Sequence, residues 1–329
     1  MARDTNITPK KSEVKIKDAD NSLWYNMNVK RILPFAQLAR WERSIGWKLL
    51  LIPCIFSLFL YSIDQAQLDP TQIKAKEYLY YLILFTIGAI AARGAGCTYN
   101  DLVDQNLDTK VDRTKLRPLP AKQISRLSAW IFLFLQLLVA FLVILQFNNY
   151  SFWLALSSVF LVALYPFMKR ITYFPQVILG LCFSWGALLG WSVMAGGLSL
   201  PPIFVYLANI CWVIAYDTIY AYQDIEDDRK VGIYSTALFF EKNSRLAISI
   251  LYSFTVIFLA MALFYVNAPI IAYIGLIFFA SGLVQQIIKL DIANPELCLK
   301  LFKDNAKIGF LFAIFLWLSL IYLLVTSYL

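Results

Sequence analysis

The sequence contains no histidine, only five cysteines in 329 residues, and charged side chains at just 15% of positions. Without histidine, proton transfer and metal ligation fall to carboxylates, amides, tyrosine, lysine or water. Cys54, Cys97, Cys182, Cys211 and Cys298 form no CxxC pair and lie mostly in apolar stretches. They indicate neither a disulfide framework nor a zinc site and read as small packing residues. The scarcity of charge, set beside 60% hydrophobic residues and a mean hydropathy of +0.64, excludes an ordinary soluble domain. The first forty residues lack the apolar core of a cleavable secretory signal, and Asp4, Glu13, Asp18 and Asp20 argue against an acid-poor organellar leader. On that ground the expected location is a bacterial inner membrane.

What is present is a series of long apolar runs. Crossing a hydrocarbon core of about 30 Å takes about 20 helical residues. Nine runs meet that length, at approximately 47–63, 77–97, 127–147, 149–167, 174–196, 201–220, 246–265, 268–288 and 308–327. Lys and Arg gather before the first run and after the second, fourth, sixth and eighth, while the opposite connections hold only Lys74 and Lys76. This alternation puts the N-terminus and every long connection on the cytoplasmic side. The expected fold is an all-α integral membrane protein of about nine transmembrane helices, with an N-terminal arm over 1–41 and a membrane domain over 42–329. The formal charge of +8 is spread along membrane-flanking loops. It therefore suits anionic lipid and anionic substrate rather than nucleic acid. No obligate protein partner is evident.

The aspartates gather after the second and sixth runs. The first cluster is Asn100, Asp101, Asp104, Asp108 and Asp112; spacing by four places Asn100, Asp104, Asp108 and Asp112 on one helical face with Asp101 beside it. The second is Asp217, Asp224, Asp227 and Asp228, of which Asp217, Asp224 and Asp228 share a face at offsets of seven and four. Two acidic ends in matching positions suggest a diverged repeat. Stacked carboxylates at a membrane boundary repel one another unless a cation intervenes. Oxygen ligands without Cys or His select hard ions, and Mg²⁺ held by carboxylates and phosphate oxygens is the usual diphosphate arrangement. The bland alternative is a pair of solvated loop ends. A divalent-cation transporter would place such carboxylates near the bilayer centre on broken helices, whereas these lie at one face beside basic loops.

At these residues the chain resembles the UbiA family of membrane prenyltransferases. The family's NDxxDxxxD is matched by Asn100, Asp101, Asp104 and Asp108, and its YDxxYAxxDxxxD by Tyr216, Asp217, Tyr220, Ala221, Asp224 and Asp228. LYPFMKRITYFPQ from Leu164 to Gln176, RGAGCTYND from Arg93 to Asp101 and RSIGWKLLLIP from Arg43 to Pro53 are similar to the 4-hydroxybenzoate branch, although Ser44 stands where a proline is common. The resemblance runs from about residue 40 to the C-terminus. It implies a helical bundle around a central cavity, with Mg²⁺ ligated at its mouth by Asn100, Asp101, Asp104, Asp108, Asp217, Asp224 and Asp228. The substrates it implies are a polyprenyl diphosphate and 4-hydroxybenzoate, joined in ubiquinone synthesis. Lys169, Arg170, Arg113 and Lys230 are expected to meet phosphate charge. Tyr165, Tyr216 and Tyr220 are expected to face the allylic cation. Arg43 and Arg93 are the candidates for the acceptor's carboxylate. Sister reactions on dihydroxynaphthoate, haem or a glycerol phosphate remain the alternatives within the family.

Overall fold

The computed structural model describes residues 32–73, 75–109 and 114–327. The arm up to Arg31, and Asp112 and Arg113 among the residues assigned above, lie outside them. The described chain is helical: α1 (Leu33–Leu38), α2 (Ile45–Leu68), α3 (Ala75–Asp108), α4 (Arg126–Ile144), α5 (Asn149–Met168), α6 (Pro175–Ala195), α7 (Leu200–Ala221), α8 (Ile225–Val231), α9 (Thr236–Phe240), α10 (Ser244–Tyr265), α11 (Ile270–Lys289) and α12 (Pro295–Thr326). Among the described residues nine helices are long and apolar enough to cross a membrane, the number read from the sequence.

Local chemistry sets the helix ends. Pro175 and Pro295 open α6 and α12, where the missing N–H costs nothing. Ser125, Asn148 and Asn294 each accept a backbone N–H of the first turn through a side-chain oxygen. Gly196 closes α6 at φ 68°, a conformation that β-carbon-bearing residues avoid.

Two helices run past their apolar spans. α3 continues to Asp108, so the first acidic motif is helical throughout its described length. α12 begins at Pro295, thirteen residues before the apolar run, because that stretch is amphipathic. Cys298, Leu301, Phe302 and Asn305 are buried while Pro295 and Lys307 stay exposed. The second motif departs from the expected regular helix. α7 stops at Ala221, a tight turn covers Tyr222–Asp224, and α8 restarts at Ile225. Asp217 and Asp228 thus lie on two helices rather than on one face.

α2 packs on α6 and α12, α6 on α7, α7 on α10, and α10 through α12 follow in sequence. Phe56, Trp212, Phe279 and Phe312, all about 1% exposed, form the centre of the main core. Their rings contact one another edge-on, tilted or stacked at centroid distances of 5.0–6.4 Å. A second, smaller core joins Leu38, Ala95, Leu102, Leu119, Ile124, Ala129 and Leu133. It anchors residues 32–41 and the connection 114–125 to α3 and α4, beside the first acidic motif. Outward-facing apolar side chains such as Phe134, Phe160, Ile257 and Ile277 cover the lipid side.

The α2–α6 crossing is close because Gly190 presents no side chain to it. A Cβ there would overlap the Cys54 carbonyl oxygen, whereas Gly197 faces open space. Gly190→Ala is expected to destabilise the protein by about 1–3 kcal/mol, and Gly197→Ala to leave it within about 1 kcal/mol of the parent. Thermal unfolding in detergent, followed by tryptophan fluorescence, measures the difference.

Candidate active site

The last turns of α3 carry Asn100, Asp101, Asp104 and Asp108, and their helical spacing brings the three carboxylates to one end of the bundle. Asp101 and Asp104 are fully buried and Asp108 is 6% exposed. Ionised carboxylates at that depth require partners. Arg40 meets Asp101 with two hydrogen bonds of 2.8 Å from Nη2, one to each oxygen. Arg117 Nη1 bridges Asp101 Oδ1 at 3.1 Å and Asp108 Oδ2 at 2.8 Å. From the end of α5, Lys169 Nζ donates to Asp104 Oδ2, and Arg170 Nη2 donates to Asp104 Oδ1 at 2.9 Å. Three carboxylates are therefore held by four cations.

Arg40 is held there by an uncommon backbone conformation. It has φ 59° between α1 and α2, a region sparsely used by residues other than glycine. The turn directs its guanidinium onto α3. Next to it, the Glu42 carboxylate is buried with neither oxygen hydrogen-bonded, and Arg43 Nε lies 3.7 Å away. Burial pushes the Glu42 carboxyl above its ordinary value, against the pull of Arg40 and Arg43.

Deeper in the bundle a second group forms around Arg93 of α3. Its Cζ lies 5.3 Å from the ring centroid of Phe183 on α6. Asp217 and Tyr216 of α7 and Tyr165 of α5 lie in the same part of the bundle. Arg93 Nε and Tyr216 Oη are buried without hydrogen-bond partners. The Tyr216 ring sits 5.6 Å from Trp212 and 5.7 Å from Phe302, and Tyr220 lies 4.6 Å from Phe302. Two buried polar atoms are thus left unpartnered beside an aromatic wall, an arrangement that calls for an explanation.

The sequence assignments separate accordingly. Lys169 and Arg170 join the first motif, while Arg93, Asp217, Tyr165 and Tyr216 form the inner group. Asp224 and Asp228 sit part-buried in the turn and in α8. Lys230 is exposed and pairs only loosely with Asp227, at 3.9 Å. Arg113 lies outside the described residues. Among those residues no three carboxylates converge as a ready metal cage. The donors are nevertheless of the kind a hard cation takes, being all oxygen. Arg40, Arg117 and Glu42 were not singled out from the sequence. The available signal was charge balance: three aspartates turning inward need cations, and Arg117, stiffened by Pro118 and Pro120, lies in the same connection.

The family model described as "UbiA prenyltransferase family" matches residues 50–319. The mitochondrial 4-hydroxybenzoate polyprenyltransferase of Drosophila melanogaster is 43% identical over 277 residues, covering 84% of this chain and 68% of that protein. The proteins of the same description from Arabidopsis thaliana and Homo sapiens are 41% and 42% identical, over 91% and 84% of this chain and 71% and 72% of theirs. The apo structure of a UbiA homolog from Aeropyrum pernix shares the fold, with a TM-score of 0.66 at 23% identity over 80% of this chain and 97% of that one. A UbiA homolog from Archaeoglobus fulgidus bound to DMAPP and Mg²⁺ gives 0.58 at 16%, over 87% of this chain and 98% of that one. The mitochondrial relatives overturn the expected bacterial inner membrane. Span lengths and basic loops report that a chain crosses a bilayer and in which sense, not which bilayer it is. The acidic residues used against an organellar leader lie outside the described residues.

The four cations differ in shielding, which separates their contributions to stability. Arg40, 10% exposed and bidentate, is expected to destabilise the protein by about 3–5 kcal/mol when replaced by alanine, because Asp101 loses a buried partner. Arg170, 42% exposed and sharing Asp104 with Lys169, should cost about 1 kcal/mol or less. Thermal unfolding of both variants checks the ranking.

Proposed function

The chain belongs to the UbiA prenyltransferase family, and from that premise we propose that it moves a polyprenyl chain from its diphosphate to the ring carbon meta to the carboxylate of 4-hydroxybenzoate. The reaction belongs to ubiquinone biosynthesis, and the membrane in this reading is mitochondrial, as for the relatives. The observation that carries it is the division of the site. A mouth of buried aspartates and basic side chains is joined to an aromatic interior containing a half-buried arginine, Arg93.

Mg²⁺, when bound, would be held by the oxygen donors Asn100, Asp101, Asp104, Asp108, Asp217, Asp224 and Asp228 and would act as a Lewis acid toward the diphosphate leaving group. Lys169, Arg170, Arg40 and Arg117 supply the remaining positive charge at the mouth. These four already stand on the motif carboxylates, so their charge is in place before substrate arrives. Arg113 and Lys230 are further donors in this reading. Tyr216, Tyr220 and Tyr165 present aromatic faces to the developing allylic cation, and the surrounding apolar core excludes the water that would capture it.

Arg93 and Arg43 are assigned to the acceptor's carboxylate. Arg93 is the stronger of the two, because Arg43 Nε already faces the Glu42 carboxylate at 3.7 Å, whereas Arg93 lies against the Phe183 ring with its Nε buried. With the carboxylate so held, the electron-rich ring presents its carbon to the allylic centre. The ring proton then leaves to a carboxylate or to diphosphate.

Transfer into radiolabelled 4-hydroxybenzoate by full-length protein in membranes, with Mg²⁺ or with EDTA, tests the reading. Product is expected only with the metal, and Asp217→Asn should lower kcat by about 10²-fold or more. Arg93→Gln should raise the KM for 4-hydroxybenzoate about 10- to 100-fold, the worth of a charged hydrogen bond, with the KM for the polyprenyl diphosphate little changed. Folded wild-type protein that gives no product with polyprenyl diphosphates of any length would rule out this acceptor.

A further inference from the structure

The two acidic motifs lie at the ends of different helices, and catalysis as read above requires them at a fixed separation. The short segment Tyr234–Thr236, which leads from α8 into the first residue of α9, reaches both. The Tyr234 N–H donates to the carbonyl of Lys169 at 3.0 Å, and Lys169 holds Asp104 of the first motif. The Thr236 N–H donates to Gln176 Oε1, at the start of α6, at 3.1 Å. The Thr236 hydroxyl lies 2.6 Å from that of Thr218, the residue after Asp217 of the second motif.

The direction of that last bond follows from hydrogen count. Thr218 Oγ1 donates to the Ile214 carbonyl at 2.6 Å, which uses its only proton. Thr236 is therefore the donor, and Thr218 accepts. Gln176, Thr218 and Thr236 are 5% exposed or less, so these bonds compete with little water. The segment is also clasped from outside, where Arg229 of α8 donates to both oxygens of Glu241 at 2.8 and 2.7 Å across it.

We propose that Tyr234–Thr236 is a bridge that sets the spacing of the two acidic motifs, with Gln176 and Thr236 as positioning residues for the metal-diphosphate site. This rests on the Mg²⁺-dependent transfer proposed above. Gln176 closes the LYPFMKRITYFPQ stretch, and the bridge gives it a role: it fixes the segment whose other bonds reach Lys169 and Thr218. Neither Gln176 nor Thr236 needs to touch substrate for this.

The test uses full-length protein in detergent and the variants Gln176→Ala, Thr236→Val and Thr236→Ser. Hydrogen–deuterium exchange of the segment 225–240 is measured with and without Mg²⁺ and inorganic pyrophosphate, beside the thermal midpoint and the Mg²⁺ requirement of transfer. In the wild type the two additions are expected to slow exchange of this segment. Gln176→Ala and Thr236→Val should raise its basal exchange about tenfold, the equivalent of one lost hydrogen bond. They should abolish the added protection and raise the Mg²⁺ concentration for half-maximal transfer about tenfold, while Thr236→Ser, which keeps the hydroxyl, restores both. Faster exchange with an unchanged Mg²⁺ requirement and unchanged protection would make the bridge merely structural and overturn the proposal. So would a lowered thermal midpoint as the only effect. If the wild type transfers nothing, the functional reading fails, and the Mg²⁺-pyrophosphate protection alone then decides for or against the bridge.

Discussion

Three carboxylates buried at the end of one helix, at the edge of a bilayer, are the constraint on which the rest of the structure depends. An isolated charge removed from water costs several kcal/mol even after relaxation, so Asp101, Asp104 and Asp108 require cations at fixed positions. The cations come from three different segments: Arg40 from the turn before α2, Arg117 from the connection after α3, and Lys169 with Arg170 from the end of α5. Each pairing ties a separate piece of chain to α3. The left-handed backbone at Arg40 and the small core around Leu38, Leu102 and Leu119 follow from that need, since both hold an arginine where a carboxylate must be balanced.

The same arrangement suits a site for an anionic substrate. Cations already oriented by protein carboxylates need little reorganisation to act on phosphate oxygens, and preorganised charge in a water-poor site acts more strongly than charge in solution. The inner group is built differently. Arg93 sits against Phe183 and Gly46, with buried polar atoms left unpartnered rather than matched in pairs. A charged mouth and an apolar interior with one half-buried arginine are what a molecule with a diphosphate end, a hydrocarbon tail and a carboxylated partner would require.

The bundle was legible because the bilayer demands it: a span needs about 20 apolar residues, and such runs cannot be hidden in a sequence. The acidic motifs and Arg93 stood out for the opposite reason, as charge where apolar surface is expected. Hydropathy failed at helix ends. It stops at the first charges, whereas backbone hydrogen bonding continues α3 to Asp108 and extends α12 back to Pro295. Offsets of seven and four made Asp217, Asp224 and Asp228 look like one helical face, but the tight turn at Tyr222–Asp224 resets the rotation. Arg40 escaped notice because its role depends on a positive φ, which no side-chain pattern announces.

That broken helix explains why hydrogen bonds outside the motifs carry so much of the site. Had α7 run on unbroken through Asp228, its own backbone ladder would have fixed the second motif. The 3₁₀ turn interrupts the regular α-helical ladder at Tyr222–Asp224, and α8 is too short to hold its place alone. The lost constraint is replaced by bonds to neighbouring elements: Tyr234 to Lys169, Thr236 to Gln176 and Thr218, and Arg229 to Glu241. Two of these reach residues that adjoin or hold motif aspartates. The geometry of the second motif therefore depends on that of the first through the connecting segment, and a change at Gln176 or Thr236 acts on the site without touching a carboxylate.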